Sequence, residues 1–189
     1  MYVQMTRDEA ERRFAEWVAA EGDRRDRLHA QVAATGGPVL APTLESLRAL
    51  NVWYHARAAE AQADPSPGRP AWAPPPNPDF VPRPGGPRPA SDAVMRLWDL
   101  ITVHVADVLR AQLPGSTWIC FRNGDRRDDR NGKPMLDIGW PDNPADVIVL
   151  AHGSVPAAVS SGRPFLPDDL HDKVVRTLSQ FEAHRSARG

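Results

Sequence analysis

The chain has 189 residues, of which 41% are hydrophobic and 25% charged, with a formal net charge of −1. That near-balance excludes the general attraction to nucleic acid or anionic lipid that a strongly basic surface produces. Cys120 is the only cysteine, so no internal disulfide and no cysteine-built metal site can form within one chain, and a reducing, cytoplasmic compartment is the expectation.

Met1–Glu9 turns acidic at once and lacks the basic start and unbroken apolar stretch of a secretory leader. No window reaches the roughly 20 apolar residues that span a bilayer. Thr6 followed by Glu9 is a capping-box pattern, and Phe14, Trp17, Val18, Leu28 and Val32 then recur at helical spacing. Gly22-Asp23 is expected to break this stretch into two helices, with Asp23 capping the second and Gly36-Gly37-Pro38 ending it. Thr43 caps a third helix whose buried face is Leu44, Leu47, Leu50 and Tyr54, with Trp53 beside it. Its tail, Ala58 to Ala63, has good helix propensity but little to bury.

Residues 64–90 differ in kind. Prolines at 65, 67, 70, 74, 75, 76, 78, 82, 84, 87 and 89 remove amide donors and restrict the residues before them. The segment is expected to interrupt a single domain, 1–189, as an extended linker or surface wrap. Trp72, Phe80 and Val81 have no place in a pure spacer and suit pinning to the body or contact with a partner.

Ser91 then caps the strongest helix, in which Val94, Leu97, Trp98, Ile101, Val105, Val108 and Leu109 form a wide apolar stripe over about five turns, stopped by Pro114-Gly115. Trp118 to Arg122 and Pro134 to Trp140 read as two antiparallel strands of a hairpin at 117–140. Val147-Ile148-Val149-Leu150 has strand composition after a helix-like start at Asn143-Pro144-Ala145-Asp146, and a third strand is favoured because a two-stranded ribbon is marginal. Asp168 caps a last helix with Leu170, Val174, Leu178 and Phe181 on one face and a frayed tail from His184. The fold class is therefore α+β: N-terminal helices and a long central helix packed with a small antiparallel sheet, then a C-terminal helix.

Candidate chemistry is sparse. Cys120 sits in the apolar run Trp118-Ile119-Cys120-Phe121, where a thiol acts as a small hydrophobe rather than a nucleophile. Val147 to Ser154 resembles the His-Gly turn near the oxyanion hole of α/β-hydrolases, but no nucleophile elbow follows it. His104 and Asp107 lie three apart on the strong helix, where a His–Asp hydrogen bond at the core edge outweighs a metal site. Asp125, Asp128 and Asp129 interleave with Arg126, Arg127 and Arg130 on the hairpin loop, and Asp137 follows on the next strand. The alternation suits a solvated tip with internal ion pairs, used for display. Calcium loops and restriction-type nuclease sites need a terminal glutamate or an acidic-x-Lys element, and neither occurs here.

Thr35-Gly36-Gly37-Pro38 with Thr43-Leu44-Glu45-Ser46-Leu47 through Trp53-Tyr54, and later Val105-Ala106-Asp107-Val108-Leu109, resembles a family of small actinobacterial proteins. Half the chain is covered, and the glycine and glutamate of the family's later Gly-Glu-Val-Leu element are replaced here. The size is similar to that of immunity proteins, which neutralise secreted bacterial toxins. The expectation is a protein-binding module that works by occlusion, without a cofactor and with another protein as partner; a second copy of the chain is also open. Its candidate contacts are Trp72, Phe80, Arg126, Arg127, Asp128 and Asp129. The alternative is a small metal-dependent hydrolase using His104, Asp107 and Asp137.

Overall fold

The computed structural model describes residues 6–70, 72–73, 89–125, 128, 130–140 and 143–188. Helices α1 (Arg7–Ala19), α2 (Glu21–Ala34), α3 (Leu44–Ala61) and α4 (Asp92–Gln112) precede a hairpin, β1 (Thr117–Cys120) and β2 (Pro134–Asp137). Three helices follow: α5 (Val147–His152), α6 (Val155–Ser161) and α7 (Asp169–Ser186). The α+β class stands, with helices dominating. Among the described residues no helix is long and apolar enough to cross a membrane.

The stripe expected on α4 forms the centre of the core. Val94, Ile101, Val105, Val108 and Leu109 are fully buried, and α4 packs against α2, α3 and α5. Burying side chains of this kind contributes about 1.5–3 kcal/mol each relative to exposure, so α4 holds the fold's largest single share of apolar stabilisation. Helices α6 and α7 also pack against α3. Three caps form as expected: the hydroxyls of Thr6, Thr43 and Ser91 accept from the amides of Glu9, Ser46 and Val94.

Several local expectations are corrected. The break between α1 and α2 falls at Ala20, and Gly22 and Asp23 lie inside α2's first turn. The cause is Arg24, whose Nη2–H donates to the Trp17 carbonyl at 2.7 Å and satisfies a group at the end of α1. The tail of α3 does bury surface, since Ala58 is fully covered. Strand β1 stops at Cys120 and is only half-buried, and β2 stops at Asp137; their register pairs Thr117 with Asp137 and Cys120 with Pro134.

The expected third strand at Val147–Leu150 is helix α5. Strand pairing is reduced to one bridge, in which Leu136 and Ala145 exchange both backbone hydrogen bonds at 2.9 Å. The Asp146 carboxylate then accepts from Val149 N at 3.0 Å and starts a helix that buries Val147, Ile148 and Ala151 against the rest of the core. Capping and tertiary burial override the β-branched composition. Asp168 stands at the start of α7 but does not cap it; its carboxylate instead accepts from Arg48 Nε at 3.1 Å. The C-terminal tail is helical to Ser186, with His184 stacked on Trp140 at 4.0 Å between ring centroids.

Candidate functional site

The hairpin loop is built around one carboxylate. Asp128 Oδ1 accepts from the Arg130 backbone N (3.0 Å) and Nε (2.9 Å), while Oδ2 accepts from Arg130 Nη2 (2.6 Å) and Asn123 Nδ2 (2.8 Å). The Arg130 guanidinium is the first cause that holds the Asp128 carboxyl far below the usual carboxylate range, followed by the Arg130 amide. Asn131 bridges the two sides of the loop: its Oδ1 accepts from Asn123 N at 2.6 Å and its Nδ2 donates to the Asp125 carbonyl at 2.8 Å. Below it the Arg130 guanidinium lies 4.7 Å from the Phe121 ring centre. Asn123, Gly124 and Asp125 are left exposed at the tip. Asp128, expected as a contact residue, therefore organises the loop. Arg126, Arg127 and Asp129 lie outside the described residues, as does Phe80.

Trp72 is pinned to α4. Its indole N–H donates to Asp99 Oδ1 at 2.7 Å and its ring meets Trp98 edge-on at 4.6 Å. The same Asp99 oxygen accepts the Trp17 indole N–H at 3.1 Å, and its other oxygen is 3.7 Å from Arg24 Nε. Arg24 is 3% exposed and its guanidinium carbon lies over the Trp17 ring, 4.0 Å from its centre; burial pulls its pKa down from the ordinary arginine value. This Asp99–Arg24–Trp17–Trp72 group was not singled out from sequence. Its only signal there was the presence of tryptophan in a proline-rich spacer.

The residues of the hydrolase alternative are held apart by other partners. His104 does not bond Asp107; its Nε2 is 2.9 Å from Ser46 Oγ. Ser46 has one hydroxyl proton and gives it to the Thr43 carbonyl at 2.7 Å, so His104 carries its proton on Nε2 and donates to Ser46. Burial is the first cause that pushes the His104 pKa down to about 4. Asp107 is forked by Arg25, Nε at 2.7 Å and Nη2 at 2.6 Å. Asp137 Oδ1 accepts from Gly139 N at 2.8 Å in the turn after β2. Among the described residues no three His, Cys, Asp or Glu side chains are grouped so as to hold a metal ion. Cys120 is half-buried and burial pushes its thiol pKa up, away from nucleophilic use.

Comparison of the chain with family models, with curated proteins and with solved structures returns no match.

Proposed function

We propose that the chain is a protein-binding module that acts by occluding its partner, with the hairpin loop between β1 and β2 as the presented element. The observation that carries this reading is the loop's internal scaffold. Asp128, Arg130 and Asn131 fix the backbone on either side of the exposed Asn123–Asp125 tip, so little further ordering is needed on binding. The interleaved Asp and Arg side chains of residues 125–130 suit recognition by charge complementarity, which favours one partner and repels others. An immunity-like role, in which the partner is a toxin, rests on the resemblance in size alone.

The test is affinity capture from the source organism's lysate with wild-type protein and with a D125K/R126E/R127E variant of unchanged melting temperature. A stoichiometric protein held by the wild type and lost by the variant supports the reading. Equal retention by both overturns the hairpin's role, and no specific retention overturns occlusion.

A further inference from the structure

Three polar atoms converge beside Gly153, the residue that joins α5 to α6. Apart from its chain neighbours, a Cβ placed there would have Asp169 Oδ2 at 3.4 Å, Asn51 Oδ1 at 3.7 Å and Val155 N at 4.0 Å as its nearest atoms. Two of these are acceptors and one is a donor, and they come from α7, α3 and α6 respectively.

Each of the three lacks a hydrogen bond. Asn51 is 0% exposed, and its Oδ1 meets no donor. Reversing the amide would not cure this, because Nδ2 donates to the Leu166 and Pro167 carbonyls at 2.9 and 2.8 Å and must face them. Asp169 Oδ2 is closed to solvent without a hydrogen bond, although Lys173 Nζ stands 3.1 Å away as its counter-charge. Val155 is fully buried, and its N–H donates to no backbone carbonyl among the described residues. Buried polar groups in this condition are costly unless something bridges them.

The chemistry of the three atoms selects what fits among them. A cation would face the Val155 N–H and the Lys173 ammonium, and an anion would face a carboxylate. A neutral group with two hydrogens to give and a lone pair to receive suits all three, and water is the smallest that does. Buried waters typically make about three hydrogen bonds to groups that are otherwise unsatisfied.

We propose that one water molecule is an integral part of this fold, bound between Asn51, Val155 and Asp169 beside Gly153. It donates to Asn51 Oδ1 and Asp169 Oδ2 and accepts from the Val155 N–H, so that a single molecule ties α3 to α6 and α7. The inference is independent of the hairpin's role.

Nuclear Overhauser spectra of the isotope-labelled full chain, read between the Val155 amide and the water resonance, test this. In the rotating frame the cross-peak should oppose the diagonal in sign, which excludes exchange of the amide itself. In the laboratory frame it should share the diagonal's sign, which marks a water held longer than surface hydration. D169A removes one acceptor and uncovers the site, so the laboratory-frame peak should vanish or change sign. S154A and K173M should keep it.

No cross-peak at Val155 in the wild type, or one with the sign of surface hydration, overturns the proposal, and that measurement stands even if D169A folds poorly. An unchanged peak in D169A overturns it too. Loss of the peak in S154A or K173M would trace the signal to hydroxyl or ammonium protons exchanging with solvent, and would overturn it equally.

Discussion

The Nε2–H of His104 donates to Ser46 Oγ at 2.9 Å and ties the middle of α4 to the first turn of α3. The bond is compatible with a neutral imidazole, and burial is what depresses the His104 pKa to about 4. Asp107 opposes the depression, while His29 and Arg25 add to it.

A pH dependence follows with a definite sign. In the unfolded chain this histidine titrates near 6.5, so between about pH 6.5 and pH 4 the unfolded state binds more protons than the folded one. Stability is therefore highest above that window and falls as pH drops through it, by up to about 3 kcal/mol from this group, levelling below pH 4. His152, whose pKa burial also lowers, acts in the same direction. Urea midpoints of wild type and H104Q between pH 4 and pH 8 check this, since glutamine keeps a donor without titrating. Identical slopes for the two proteins would remove His104 as the cause.

Asp99 joins three parts of the chain that are distant in sequence: Trp17 and Arg24 on the N-terminal helices, and Trp72 after α3. D99A leaves two indole N–H groups without their acceptor and a 3%-exposed guanidinium without its nearest carboxylate. The expected loss is about 3 kcal/mol, the scale for breaking a buried charged pair from one side. W72F should cost less, about 1 kcal/mol, because it removes one donor and leaves the Arg24–Asp99 pair. Urea denaturation of both variants measures the difference, and a D99A loss no greater than that of W72F would contradict the joint role.

How far this could be read from sequence depends on how local the cause is. The α4 stripe and the caps at Thr6, Thr43 and Ser91 act within a few residues, so their spacing reveals them. Helix α5 is misread because Val147–Leu150 has strand composition, while the burial against α4 that makes it helical comes from a neighbour some 50 residues away along the chain, where Trp98 Nε1–H donates to the Ile148 carbonyl at 2.7 Å. Helix α6 was missed although Pro156 near its start and Gly162 at its end are the expected punctuation. The role of Asp99 was illegible for a similar reason: nothing beside an acidic residue on a helix reveals which distant indoles will reach it. Arg24 would be read as an exposed charge, and only the fold shows it buried on Trp17.

Gly153 links α5 to α6 with φ +53° and ψ −152°, a conformation close to glycine-only. A Cβ there would lie 3.4 Å from Asp169 Oδ2 and 3.7 Å from Asn51 Oδ1, ordinary van der Waals contact, so the backbone conformation carries the cost. G153A should therefore destabilise by about 1–3 kcal/mol. G162A has φ +66° but open space around the new Cβ, so about 1 kcal/mol is expected. Chemical denaturation ranks the two, and a reversed order would show that the backbone strain at Gly153 relaxes without cost.

The hairpin tip separates local order from global stability. In D128A the side chains of Asn123 and Arg130 lose their shared acceptor, and the Arg130 amide loses its own. Amide exchange should accelerate at Asn123, Asp125 and Asn131, while the core amides of α4 keep their protection. Acid should reproduce the effect in the wild type only at the extreme. The folded Asp128 pKa is depressed, so the loop's stabilisation is fully present above the unfolded carboxylate value near 3.9 and is lost as pH falls through the lower folded value. If the loop presents the binding surface, D128A should also speed dissociation of the captured partner while leaving the unfolding midpoint nearly unchanged. Unaltered exchange at all three tip amides would mean that Asn131 alone holds the loop, and partner binding would then have to be explained without its preorganisation by Asp128.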